Sequence, residues 1–165
     1  MTTGFPPSPF AAGDCIRAAI GSNWCDPPIR KGGTRMDPIT GGCLCGGVRL
    51  EATGRPLRVG LCHCLDCRKH HGALFYAAAV FSNDAVRTEG ETGAYRGRHF
   101  CPRCGSSVFA RSGDEIEVHL GTLDAPDRFI PTYEGWCERR ESWLPPFGLA
   151  QSFARDREGG DRSGE

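Results

Sequence analysis

The sequence predicts a mainly β chain of small antiparallel sheets pinned together at clustered cysteines. Three observations carry this. Short runs of β-branched and apolar residues recur between turn formers at 48–52, 57–61, 74–81, 108–111 and 116–120. Only 67–71 reads as helical, and as a single turn at most. Seven of the ten cysteines fall in three tight clusters between residues 43 and 104, a spacing that ties distant strands together when one ion takes ligands from two clusters.

In chain order, residues 1–38 contain Pro6, Pro7, Pro9, Pro27, Pro28 and Pro38 among Gly and Ala and show no period, so they are expected as a disordered leader. Met36 sits just before the first patterned segment and is a candidate true start. Residues 39–148 carry all the strand-like runs and form the expected domain; 165 residues suffice for one domain with a core but not for two ordinary ones. Residues 149–165 mix Arg155, Asp156, Arg157, Glu158, Asp161 and Arg162 with Gly and Ser, and are expected as a solvated, disordered tail. No internal repeat is present.

Composition narrows the function. Lys+Arg and Asp+Glu each total 20, so the formal charge is zero and no basic footprint for nucleic acid appears. No run of about 18 apolar residues exists, so no membrane partner or span is expected. The best signal-peptide candidate, 10–20, is interrupted by Asp14 and Arg17. The expected location is therefore cytoplasmic, where thiols stay reduced and paired cysteines read as metal ligands rather than disulfides.

The clusters are Gly42-Cys43-Leu44-Cys45-Gly46, Cys62-His63-Cys64-Leu65-Asp66-Cys67 and Phe100-Cys101-Pro102-Arg103-Cys104-Gly105. Two residues between cysteines and a glycine after them make a knuckle whose amides can face thiolate sulfur, the form of a structural zinc half-site. Cys43 and Cys45 complete it: residues two apart on an extended strand share a face. The middle cluster offers Cys62 and Cys64 at a strand end and Cys67 returned by a turn. Three ligands leave a fourth position open for water or substrate. A competing partition has His63 closing a Cys3His structural site, although alternation turns its side chain away from its neighbours' ion. Cys15 and Cys25 fall in the expected leader and are read as free; Cys137 follows Trp136 in an expected strand and is read as core.

With Gly42-Cys43-x-Cys45-Gly46-x-Val48, Cys62-His63-Cys64-x-x-Cys67-Arg68-Lys69 with Gly72, and Phe100-Cys101-x-x-Cys104-Gly105-Ser106, the chain resembles the family of glutathione-dependent formaldehyde-activating enzymes and CENP-V-like proteins. The resemblance runs from about Gly41 to Pro145 and includes Gly121-x-Leu123-Asp124 and Trp136…Trp143-Leu144. It implies a β-tent zinc fold with two zinc ions: a structural one on Cys43, Cys45, Cys101 and Cys104, and a catalytic one on Cys62, Cys64 and Cys67. It further implies a carbon–sulfur lyase that reversibly adds a small-molecule thiol, glutathione or another of low molecular weight, to formaldehyde or a related small aldehyde. Many members carry a His two residues before the first C-terminal Trp; here that position is Glu134.

Around the trio, Arg68 and Lys69 are candidates to hold the carboxylates of a thiol cofactor. His70 and His71 are candidate proton carriers. Phe75, Tyr76, Phe81, Phe100 and Phe109 are read as mainly core, and Asp66 as a turn residue. Two other function classes compete: a noncatalytic zinc-stabilised binding module, which the neutral charge balance disfavours for polyanions, and a redox or metal sensor built on the three-cysteine cluster.

Overall fold

The computed structural model describes residues 37–157. The expected leader up to residue 36, with Cys15, Cys25 and Met36, and the last part of the expected tail lie outside the described residues. Eleven strands and one helix follow in the order β1 (Ile39–Gly42), β2 (Arg49–Ala52), β3 (Arg58–Cys62), α1 (Leu65–His71), β4 (Tyr76–Ser82), β5 (Val86–Glu89), β6 (Gly93–Tyr95), β7 (Arg98–Phe100), β8 (Ser107–Ser112), β9 (Glu115–His119), β10 (Tyr133–Gly135) and β11 (Gln151–Ser152). The mainly β expectation holds.

Two sheets form. The smaller has the order β1-β2-β5; the larger runs β11-β10-β3-β4-β9-β8-β7-β6. From β3 to β6 the larger sheet is antiparallel, but β10 joins β3, and β11 joins β10, in parallel. Antiparallel neighbours are legible from alternation and turns, whereas a parallel partner 70 residues away leaves no local signal.

Leu50 and Ala52 of β2 point inward while Arg49 and Glu51 face water, the alternation of a half-buried strand. They pack with Val48, Val86 and Ile39 against Ala79, Phe81, Phe109, Ile116 and Val118 of the larger sheet, making one apolar core between the sheets. Phe81 and Ile116 have no exposed surface, so Phe81→Ala would cost about 3–5 kcal/mol in lost transfer energy and cavity. Gly41 of β1 bridges Leu123, just past β9, and a Cβ at Gly41 would press on the Thr122 carbonyl.

Three local expectations are corrected. The helix covers two turns, not one, because Cys64 caps it: the Cys64 sulfur accepts the Cys67 amide, and Gly72 closes the other end in the left-handed conformation. Cys137 is not in a strand; Trp136 adopts φ 57° and ends β10, and Cys137–Arg139 form a 3-10 turn. The ordered chain also passes residue 148. Gln151–Ser152 pair with β10, and the amides of Trp136 and Cys137 donate to the carbonyls of Arg155 and Phe153. The polar composition of this stretch hides its role, since its contribution is made through backbone groups.

Candidate metal centres and their surroundings

The first centre is built by two turns that meet. After β1 the chain does not continue extended through Cys43 and Cys45; it turns, with the Gly46 amide donating to the Cys43 carbonyl and the Cys43 amide to the Val48 carbonyl. The strand-face argument for this pair is thus replaced by a turn. The second turn repeats the plan: the Gly105 amide donates to the Cys101 carbonyl, and the Cys101 amide to the Ser106 carbonyl. Gly46 and Gly105 hold φ 74° and 75°, which side-chain-bearing residues adopt only under strain. In each turn the glycine lets the chain reverse just past the sulfur.

The four sulfurs of Cys43, Cys45, Cys101 and Cys104 all lie within 4.8 Å of one another. Cys43 is 3.5 Å from Cys45, and Cys45 is 3.7 Å from Cys101. Tetrahedral zinc with Zn–S near 2.3 Å requires sulfurs about 3.8 Å apart, so the donor set fits zinc in both chemistry and size. The Val48 amide donates to the Cys43 sulfur at 3.1 Å, as suits a thiolate. The hydroxyl of Ser106 lies 3.3 Å from the Cys104 sulfur and takes a hydrogen bond from the Leu44 amide, tying one turn to the other. Hydrogen bonds from Ser106 hold the Cys104 thiol down to about 5.

The second centre lies at the far end of β3. Cys62 is its last residue, opposite Tyr76 of β4 on one side and Gly135 of β10 on the other. Cys64 caps α1, and Cys67 lies in its first turn. All three are buried, and their sulfurs lie within 4.8 Å of one another. Beside Cys64 and Cys67, and then by burial, the Cys62 thiol is pushed far up. Three buried thiolates cannot share this space without a cation, so this donor set also fits zinc, with three ligands rather than four.

His63 does not complete the trio. Its ring is fully buried, with Nε2 3.1 Å from Glu134 Oε2. Glu134, 1% exposed on β10, also accepts from the Ser152 hydroxyl at 2.8 Å and from Arg140 at 3.3 Å. Burial pushes this carboxyl up, but Ser152, His63 and Arg140 together outweigh it and hold it below the ordinary carboxylate range. Glu134 thus fastens β10 and β11 to the residue between two cysteines of the trio. This role is not legible in the local sequence, because its three partners lie on other segments.

Of the remaining expected residues, Arg68 is engaged. Its guanidinium donates to the Arg139 carbonyl at 2.7 Å and pairs with Glu141, strapping α1 to the turn after β10. Two of its five N–H donors are thus engaged, which makes Arg68 a strap, while Lys69 is exposed. Asp66 faces Arg98 at 3.5 Å and Arg96 at 3.9 Å, an ion-pair role beyond that of a turn residue. Cys137 Sγ lies 3.8 Å from the Glu134 carbonyl and belongs to neither cysteine group.

A set of rings adjoins the trio. His71 stacks on Tyr76 at 4.8 Å and meets His119 edge-on at 4.5 Å. Tyr76 packs with Cys62, Cys64 and Cys67 in one buried cluster, flanked by Trp136. The Tyr76 hydroxyl donates to Glu117 on β9. His119 at the end of β9 was not singled out by sequence; one slot beyond a strand's apolar run is an ordinary place for a core histidine.

A crystal structure of a Rhodobacter sphaeroides protein resembles the chain with a TM-score of 0.43 at 21% identity, covering 54% of this chain and 91% of that one. No curated protein matches. Among the described residues no helix is long and apolar enough to cross a membrane. The family model described as glutathione-dependent formaldehyde-activating enzyme matches residues 38–139, which include all seven clustered cysteines and more than half of the chain, and the protein belongs to that family.

Proposed function

We propose that the protein is a zinc-dependent carbon–sulfur lyase that reversibly adds a small thiol such as glutathione to formaldehyde or a related small aldehyde. The supporting observation is the contrast between its two cysteine groups: a tetrad that can close around one ion, and a buried trio that leaves a fourth position. In this reading Cys43, Cys45, Cys101 and Cys104 hold a structural zinc, and Cys62, Cys64 and Cys67 a catalytic one. Zinc at the trio supplies Lewis acidity at an open position.

The chain's own residues supply the rest. Cys64 and Cys67 are fixed to each other by the helix cap, and Cys62 is fixed by β4 and β10 on either side. The Glu134 network and the Arg68 strap hold the C-terminal segments against that arrangement. Exposed Lys69 is the cation assigned to a carboxylate of the thiol. In the overall reaction a C–S bond forms, the carbonyl π bond opens, and the thiol's proton is balanced by one gained at oxygen.

Zinc content of the purified protein and of Cys64→Ser, measured with the rate of adduct formation from formaldehyde and glutathione, tests the proposal. Two zinc ions in the wild type, one in the variant, and a wild-type rate well above the uncatalysed addition are expected. A single ion in the wild type would overturn the two-site assignment. A wild-type rate equal to the uncatalysed one would remove the lyase reading.

A further inference from the structure

His119 is 4% exposed, and its two ring nitrogens are treated differently by the fold. Nδ1 lies 3.1 Å from the Ser107 hydroxyl, which also lies 2.7 Å from His70 Nε2. Nε2 is buried with no hydrogen-bond partner in the protein. Such a group costs stability unless something else satisfies it. The residues around it are already committed: the Tyr76 hydroxyl is spent on Glu117, and the rings of His71 and Tyr76 wall the imidazole edge-on at 4.5 and 5.1 Å. Of these, Tyr76 packs with Cys62, Cys64 and Cys67 in one buried cluster. The His119 ring is therefore one ring away from the three-cysteine centre.

Resting on the lyase reading, we infer that His119, walled by His71 and Tyr76 and backed by Ser107 and His70, forms the polar subsite that receives the oxygen of the small aldehyde and of the hydroxymethyl product. The chemistry of these rings selects a neutral oxygen. Burial holds His119 near 3 and His71 near 4, so both rings are uncharged at neutral pH and offer an N–H without a full charge. A carboxylate or phosphate would find no cation among these rings.

The hydrogen-bond chain also orients an N–H toward the oxygen. Ser107 has one hydroxyl hydrogen and two imidazole neighbours, so it donates to one and accepts from the other. With Ser107 donating to His119 Nδ1, His119 carries its hydrogen on Nε2, and His70 Nε2–H donates to Ser107. As thiol sulfur bonds to the carbonyl carbon, the π pair moves to oxygen, and the charge developing there is met by the hydrogen bond from His119 Nε2–H. The thiol's proton passes to water and the oxygen takes one from water, so the sum balances and His119, Ser107 and His70 end as they began.

The test compares two thioethers that differ only at the tip, S-(2-hydroxyethyl)glutathione and S-propylglutathione, by calorimetric titration into the zinc-loaded protein. The wild type is expected to bind the hydroxyl compound roughly tenfold more tightly, the value of one buried hydrogen bond. His119→Phe should abolish that preference at unchanged zinc content, and Ser107→Ala, which frees the ring to turn, should reduce it several-fold. In 15N-histidine spectra of the wild type, the hydroxyl compound alone should shift the His119 Nε2 resonance. Should His119→Phe not fold, Ser107→Ala and these spectra carry the test. Equal binding of both thioethers by the wild type, or a preference that survives His119→Phe, would overturn the subsite while leaving the lyase reading intact. Failure of the wild type to bind either would remove that reading and the subsite with it.

Discussion

Replacing Glu134 by Ala removes the acceptor that three donors share, and the cost can be worked donor by donor. Ser152 is exposed, so its hydroxyl can turn to water at little expense. Arg140 keeps 23% of its side chain exposed and likewise recovers solvent. His63 cannot: it is fully buried, and its Nε2, 3.1 Å from the carboxylate, would be left without a partner. An unmet buried donor costs about 1–3 kcal/mol. The vacated side-chain volume adds about 1 kcal/mol. The expected loss is about 3 kcal/mol, at the lower edge of the range for breaking a buried pair. Glu134→Gln keeps an acceptor for His63 and should lose only about 1–2 kcal/mol. Urea unfolding of the zinc-loaded proteins at pH 7 reads both values. A double-mutant cycle with His63→Leu should return a coupling above about 1 kcal/mol, since in that background the orphaned donor is already gone. A Glu134→Ala loss below about 0.5 kcal/mol, or zero coupling, would refute the view that this pair anchors the C-terminal strands to the trio.

Four further outcomes follow from the same geometry. Cys104→Ser should lose one zinc and leave the chain largely unfolded by circular dichroism, because a structural zinc contributes about 10 kcal/mol or more, comparable with the whole stability of a domain this size. Arg58→Met should cost up to about 1 kcal/mol at pH 7, since the pair with Glu115 is only half-buried. The Arg58 hydrogen bond holds the Glu115 carboxyl below its ordinary value; the pair's contribution is therefore full above that value, is lost as pH falls through the lowered one, and should vanish from the acid limb of the variant's stability curve. His119 is buried neutral with its folded value near 3 against an ordinary 6.5, so the unfolded chain takes up the proton first. Stability falls as pH drops from about 6.5 towards 3, and denaturation curves of His119→Phe should be flatter over that window. Gly60→Ala should cost about 1–3 kcal/mol, because a Cβ there would strike the ring of Tyr133 that lies across β3.

How far the sequence discloses this protein depends on how local each interaction is. The two cysteine groups were legible because their members are few residues apart and their spacing has one dominant chemical use; His63 was separated from the trio by alternation alone, and its bond to Glu134 agrees. The length of α1 was not legible, since its cap is a cysteine rather than Ser, Thr, Asp or Asn, and the sulfur serves helix and metal group at once. The strap made by Arg68 was not legible for a related reason. A basic residue beside a clustered cysteine suggests an anion site, and the carbonyl and carboxylate that also engage it lie more than 70 residues away. The same distance hides Glu134 and the β3-β10-β11 edge, where parallel pairing joins segments with no turn between them. What sequence conceals here is thus one coherent feature: the C-terminal segments that β10, Arg68 and Glu134 draw over the three-cysteine centre. A truncation before Gln151 separates the two contributions. It would remove β11, the Ser152 donor and the Arg155 and Phe153 carbonyls that hold Trp136 and Cys137, yet leave all seven cysteines in place. Both zinc ions should then still bind, while hydrogen exchange at the amides of Trp136 and Cys137 rises by at least about tenfold. Unchanged protection would mean that the segment lies on the centre without supporting it.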